Sequence, residues 1–531
     1  MINTVRAVRG MAVAPHALAA QSALSVLREG GNAVEAMIAA AATIAVVYPH
    51  MNGIGGDGFW TIALPGRPVL GIEAAGTAGR NVSVESYTRQ GYSAIPGRGP
   101  LAANTVAGTI SGWELAAQLA GEIGGRLSLR RLLDDAIWYA EHGVPVTASQ
   151  SENTRRKLDE VAPQPGFSEQ FLVDGQAPQT GSLFRQPALA RTLARIAADG
   201  ADGFYRGELA REIAADLRAV GSPITLDDLR AYHAQRVVPL HLRHSAGDLY
   251  NMTPPTQGLI SLIILGILDR LDIGTCALDG VDYVHLVVEA TKQAFDVRDR
   301  YVTDPDHMTI DPQACLTDAF LAPYVAAISR ERARPWQAGR VPSDTVWLGV
   351  IDEHGVAVSF IQSIYHEFGS GVVLPNTGIL WQNRGCSFSL DPAHINVVKP
   401  GKKPFHTLNP ALARLHDGRT MVYGTMGGDG QPQTQAAVFT RCAIFGQSPQ
   451  AAITSPRWLL GRTWGSASDS LKLERRFPLE VIRGLRARGH DVELLDAFDE
   501  SVGHAGAIIR SADGVLEGGA DPRSDGAVAG F

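Results

Sequence analysis

The spacing of hydrophobic and polar positions changes along the chain, and each spacing predicts a different kind of element. In the first third, small apolar residues recur at helical intervals. Pro15 to Glu29 predicts a helix stopped by Gly30-Gly31, and Asn32 predicts the cap of a second, alanine-rich helix from Ala33 to about Val47. The glycine-rich run Tyr48 to Gly58 leads to a strand, Phe59 to Leu64. It precedes a strand and lacks a Gly-Lys-Ser/Thr ending, so it predicts tight turning beside a site and not a phosphate cradle. The middle third reads as helical. Leu209, Ile213, Leu217 and Val220 form one apolar stripe, and Val287, Ala290, Ala294, Val297 and Tyr301 another. Thr225-Leu-Asp-Asp228 predicts a capping box, and Met252 to Gly258 a rigid loop before a buried helix at Leu259 to Leu268. From Thr345 the pattern turns to strands. Two apolar runs, Thr345 to Ile351 and Val356 to Ile364, flank the turn Asp352-Glu-His-Gly355. Shorter strands are predicted at Gly378 to Trp381, Thr420 to Tyr423, Val492 to Leu495 and Ala507 to Arg510, with helices around Gln433 to Phe445 and Leu479 to Arg488. Strands and helices that segregate in groups predict a layered α+β protein in place of alternating βαβ units.

Composition narrows the function classes. The chain has 531 residues, 45% hydrophobic and 19% charged, which is a globular balance at the length of about two to four domains. A net charge of -7 without a dense Lys/Arg cluster argues against a nucleic-acid partner. The four cysteines, Cys276, Cys315, Cys386 and Cys442, are far apart, so neither a zinc site nor a disulfide framework is indicated. Met1 to Arg9 lacks the apolar core of a signal peptide, and the longest apolar runs are too short to span a bilayer. The expected location is therefore the cytoplasm, with no membrane partner. No G-x-S-x-G elbow or H-E-x-x-H helix occurs, and no metal or organic cofactor is called for.

Candidate chemistry gathers at Thr345. It follows Arg340-Val-Pro-Ser-Asp344, the end of a stretch from Ser329 whose Arg, Pro and Gly content is that of a mobile connector. A threonine that opens a strand ordinarily just packs. One behind a polar connector can also become an N-terminus. A cut between Asp344 and Thr345 would put an α-amine, with a reference pKa of about 7.7–8.0, on the residue that carries the hydroxyl, and the amine could act as base for its own nucleophile.

Six segments in order resemble the γ-glutamyltransferase family of N-terminal-nucleophile hydrolases, over nearly the whole chain. They are Gly31 to Ala36, His50 to Gly58, Met252 to Gly258, the Thr345 hairpin, Gly427-Gly428 and Asp521 to Gly526. The resemblance implies a four-layer αββα sandwich made as one precursor. Self-cleavage would yield a large fragment, residues 1–344, and a small one, residues 345–531, that stay paired, with a dimer of such pairs left open. It implies Thr345 as nucleophile in processing and in turnover, and Ser363, where the family usually has Thr, as its hydroxyl partner. Gly427 and Gly428 would be the backbone donors of an oxyanion hole; read alone, they are equally a turn between a strand and a helix.

The sequence departs from the family at the residues that grip glutamate. Glu73 stands where the carboxylate arginine is expected. Tyr365, Arg384 and Ser387 replace Asn, Gln and Asp, and His406 and Thr407 replace paired serines. Losing an acid and gaining Arg384 suits a substrate with a carboxylate and no ammonium, because Arg binds carboxylates bidentately. Arg384 could instead form a structural ion pair, and His406 could simply cap its loop. The segments Ser359 to Gly371, Trp381 to Gly385, Pro404 to Pro410 and Met426 to Gln435 resemble the branch of the family that splits oxamate into oxalate and ammonia in bacterial purine breakdown through allantoin. That resemblance implies an oxamate shell of Tyr365, Arg384, His406 and Thr407. A γ-glutamyl or other acyl-amide hydrolase, and an unprocessed binding protein that keeps the fold, are the competing readings.

Overall fold

The computed structural model describes residues 3–336, 344–462 and 468–531. Residues 337–343 of the expected connector lie outside the described residues. Two seven-stranded sheets carry the fold. The first runs, edge to edge, Ala527–Gly530, Gly10–Ala14, Asp344–Asp352, Ala357–Tyr365, Asp57–Ala63, Leu70–Ala74 and Gln235–Val237, with every neighbouring pair antiparallel. The second runs Val5–Ala7, Leu516–Ala520, Ala505–Arg510, Thr420–Thr425, Ala411–Leu415, Gly247–Asn251 and Leu240–His244, also antiparallel throughout.

Strand alternation explains the layers. Along Asp344–Asp352, Val346, Leu348 and Val350 join a core shared with the helices Ala17–Arg28 and Ala33–Val47, whereas Trp347 and Ile351 point the other way. There they meet Phe59, Ile361, Leu412, Val422 and Ile508 in a core between the sheets. The outer face of the second sheet, with Ala413, Met421 and Tyr423, packs on the helices Gly258–Arg270, Val281–Tyr301 and Gln431–Phe439. The order is helices, sheet, sheet, helices: the four-layer αββα sandwich of the N-terminal-nucleophile hydrolases.

Local signals account for the element ends. Asn32 Oδ1 accepts from the N–H groups of Val34 and Glu35, and Glu35 returns a bond to Asn32 N, closing a capping box. Thr225 and Asp228 form the predicted second box, opening Leu226–Ala231. Two sequence expectations are corrected. Gly378 to Trp381 makes only isolated bridges, Val373 with Leu380 and Gly55 with Trp381, so that segment is loop pinned at two points. The middle third also contributes two strands, Leu240–His244 and Gly247–Asn251, to the edge of the second sheet.

Candidate active site

Thr345 is the second residue of its strand and is fully buried. The partner strand pairs Tyr365 with Asp344 and Gln362 with Val346, so the ladder shifts register across Thr345. Ser363 and Ile364 of the partner strand together stand opposite Thr345, so the extra residue and the bend of this bulge belong to the partner strand. On the partner strand, Ile361 faces the space between the sheets, and alternation puts Ser363 on the same face. Ser363 Oγ accepts from Tyr365 N at 2.8 Å. Tyr365 has φ +83°, a left-handed conformation uncommon for an aromatic residue, so the chain turns sharply at the strand's end. The glycine run comes up against this corner. A Cβ on Gly56 would stand 2.1 Å from the Ser363 carbonyl oxygen, so only glycine permits the approach.

Gly427 and Gly428 follow the Thr420–Thr425 strand of the facing sheet, with φ +115° and +52°. Among the described residues neither N–H donates a hydrogen bond to another group. Two unpaired, glycine-fixed N–H groups at a strand-to-helix junction make a donor pair suited to an oxyanion. Gln257 ties this turn to the next wall, its Nε2 lying 2.7 Å from the Gly428 carbonyl oxygen and 3.1 Å from that of Thr407.

That wall is built around Arg384, which is 1% exposed. Its guanidinium lies 3.8 Å from the Tyr365 ring centroid, Nη1 is 3.4 Å from the Phe405 carbonyl oxygen, and Nη2 is 3.5 Å from Thr407 Oγ1. Among the described residues no carboxylate oxygen comes within 4.0 Å, so Arg384 is not in a structural ion pair. Burial lowers its pKa to about 10, which leaves it charged at neutral pH. His406 is fully buried, edge-on to Phe59, with Nε2 3.1 Å from Asp57 Oδ2. Burial, followed by the nearby Arg384, lowers its pKa to about 4, so the ring is neutral. A cavity of about 540 Å³ opens from Tyr365, Phe405 and Thr407 toward Ile95, Phe388 and Leu390.

The structure thus brings Tyr365, Arg384, His406 and Thr407 together, and sets Gly427-Gly428 beside them through Gln257. Ser387 joins at the Phe405 carbonyl oxygen, to which its hydroxyl donates at 3.0 Å. Glu73 does not belong to this wall: it pairs with Lys403 and lines a separate cleft with Tyr232 and His233. Asp57 and Gln257 sat inside the quoted segments without a role. An acid amid four glycines, and an amide inside a proline-rich loop, were the available signals. Among the described residues one cluster has metal-ligand chemistry, His285, Glu289 and His490. Its histidines are hydrogen-bonded to each other at 2.8 Å, and Lys292 Nζ stands 2.7 Å from Glu289 Oε1, so a resident cation already neutralises the acid.

The model of the family described as gamma-glutamyltranspeptidase matches residues 19–531. The chain belongs to that family. It is 60% identical to the oxamate amidohydrolase proenzyme of Klebsiella pneumoniae subsp. pneumoniae, across 98% of both chains. It is 41% identical to a glutathione hydrolase-like proenzyme of Bacillus subtilis, across 100% of both. Among solved structures, the cephalosporin acylase of Bacillus halodurans superposes with a TM-score of 0.92 at 35% identity, covering 100% of this chain and 97% of that one. The chain is accordingly an amide-hydrolysing enzyme of the N-terminal-nucleophile class. Among the described residues no helix is long and apolar enough to cross a membrane.

Proposed function

We propose that the protein hydrolyses oxamate to oxalate and ammonia, with Thr345 as an N-terminal nucleophile freed by self-cleavage after Asp344. The observation that carries the substrate is Arg384, a buried cation without a carboxylate partner among the described residues, beside the end of the strand that holds Ser363. A relative named for oxamate at 60% identity supports the same reading. In processing, Thr345 Oγ attacks the Asp344 carbonyl, and water resolves the resulting ester to leave a free α-amine. Because strands from both sides of the cut are interleaved in the first sheet, fragments 1–344 and 345–531 would remain bound by shared ladders.

In turnover, Arg384 and Thr407 hold the carboxylate of oxamate and the Gly427 and Gly428 N–H groups receive its amide oxygen. Thr345 Oγ attacks the amide carbon while its proton passes to the α-amine. The tetrahedral oxyanion collapses, the C–N bond breaks, and the α-amine returns the proton to the departing nitrogen as ammonia. Water then attacks the oxalyl ester, Thr345 Oγ leaves with a proton, and oxalate is released.

Ammonia release from oxamate tests this. Thr345→Ala should stay a single chain and lose at least about 10⁴-fold in rate, the scale on which removal of a nucleophile acts. A wild-type chain that is cut before Thr345 and releases no ammonia would reject oxamate. A second reading, hydrolysis of larger acyl amides, is favoured by the 540 Å³ cavity with its apolar Ile95, Phe388 and Leu390. Release of aniline from a γ-glutamyl anilide in the same assay would support it.

A further inference from the structure

Asp57 is the direct register partner of Ser363, so alternation places its side chain between the sheets as well. It is fully buried. Oδ1 accepts from Gly76 N at 2.9 Å, Gly108 N at 3.0 Å and Gln382 Nε2 at 3.1 Å. Oδ2 faces His406 Nε2 at 3.1 Å. Three fixed N–H donors on one oxygen hold the carboxyl in a single orientation and leave the other oxygen as an acceptor for the imidazole. A neutral imidazole carries one proton, and Nε2 and Asp57 Oδ2, which at 3.1 Å stop short of full hydrogen-bond geometry, attract each other when that proton is on Nε2. The lone pair is then on Nδ1. That atom is buried and has no hydrogen-bond partner among the described residues, although His406 is flanked by Phe405 and Thr407, the two residues on which Arg384 rests. A buried acceptor without a donor calls for an explanation, and a ligand is one.

We propose that His406 Nδ1 accepts a hydrogen bond from the amide NH₂ of the bound substrate, and that Asp57 is the positioning residue that fixes the imidazole proton on Nε2. This rests on the oxamate reading above. Oxamate and oxalate have the same shape and differ where one has NH₂ and the other a carboxylate oxygen. The NH₂ donates to the Nδ1 lone pair; the oxygen sets lone pair against lone pair. A site built to receive an N–H discriminates against an analogue without it, because its own polar atom is then left unpaired. The same atom that helps to bind the substrate thus disfavours the product, and oxalate leaves a site whose cation would otherwise retain it.

Asp57→Asn tests the assignment with a change of sign. The three donors on Oδ1 require an acceptor there, so the carboxamide must turn its NH₂ toward His406 Nε2. The imidazole proton then moves to Nδ1, which becomes a donor. The inhibition constant for oxalate should fall about tenfold while KM for oxamate rises about tenfold, the scale of one hydrogen bond gained or lost. Structural loosening would weaken both. Oxalate binding unchanged or weaker in the variant, with the wild type active on oxamate, would overturn the proposal. A wild type inactive on oxamate overturns the oxamate reading and this inference with it. Should Asp57→Asn fail to fold or process, ¹⁵N NMR of the wild-type imidazoles decides. The His406 signals, identified by their loss in His406→Gln, should show a protonated Nε2 and a bare Nδ1; the opposite tautomer refutes the assignment.

Discussion

Arg384 and Arg523 are both buried arginines, and their surroundings are opposite. Arg523 reaches Glu474 with two parallel contacts, Nε to Oε1 at 2.7 Å and Nη2 to Oε2 at 2.6 Å, and Asp521 Oδ1 with Nη1 at 3.1 Å. Asp521 also pairs with Arg457, so two cations meet two carboxylates within the group. Burial works against the charge of Arg523, but Asp521 and Glu474 outweigh it and hold the pKa above its ordinary value. Arg384 has a carbonyl at 3.4 Å, a hydroxyl at 3.5 Å and an aromatic face, and burial lowers its pKa. A protein interior does not favour an uncompensated cation. The Arg523 network is balanced in charge without a ligand and fastens the C-terminal segment; the Arg384 wall is balanced by an anion that the proposed chemistry supplies.

The largest effect expected from breaking this contrast is at Arg523. Arg523→Met strands Glu474 and Asp521 among fewer donors, and loss of one partner from a buried ionic group costs about 3–5 kcal/mol. The midpoint of urea unfolding should fall accordingly, while the enzyme that remains folded keeps a near-normal KM. Arg384→Met should do the reverse. Methionine fills similar volume without a charge, so the unfolding midpoint should hold or rise. The kcat/KM for oxamate should drop about a hundredfold, equivalent to about 2.7 kcal/mol, as expected for truncating one member of a buried charge pair. A destabilised Arg384→Met with an unchanged KM would make the two arginines equivalent and dissolve the distinction.

The two arginines also show what could be read from the chain. Ala33 to Val47 was legible because cap, alanine content and stop signal agree, and the observed helix has those bounds. The Thr345 hairpin was legible because apolar runs and turn agree. Its strands, Asp344–Asp352 and Ala357–Tyr365, differ by a residue or so at their ends. The register shift at Thr345 was not legible, since a bulge depends on which neighbour each strand selects. Sequence left Arg384 divided between ion pair and site. Its surroundings come from Tyr365, Phe405 and Thr407, up to 23 residues away, and no local pattern reports the absence of a carboxylate. Asp57 was hidden similarly, because its meaning lies in Gly76, Gly108, Gln382 and His406, four segments that only the fold brings to one carboxyl.

Acid should sharpen the comparison further, with the smallest effect of the three. His406 is held neutral by burial at a pKa of about 4, against an unfolded value of about 6.5. Between those values the unfolded chain binds the proton and the folded chain does not, so stability falls as pH drops below about 6.5 and levels off only below about 4. At pH 5.5 this one ring accounts for about 1.4 kcal/mol of lost stability. The groups around it set the sign: Asp57 favours the protonated ring, and burial, with Arg384 and Lys403 acting the same way, outweighs it. His16 and His50 shift in the same direction, so the whole protein should weaken in acid. The difference between wild type and His406→Gln isolates the share of the Arg384 wall. Urea midpoints at pH 7.5 and 5.5 should converge in that variant by about the amount given, whereas Asp521, whose pKa lies below its ordinary value, keeps the Arg523 network charged across the same range. A wild type and His406→Gln that lose stability in parallel would mean that the folded and unfolded rings bind protons alike; a wild type that gains stability relative to the variant would mean that His406 already carries a proton, and the wall would then hold two cations in place of one.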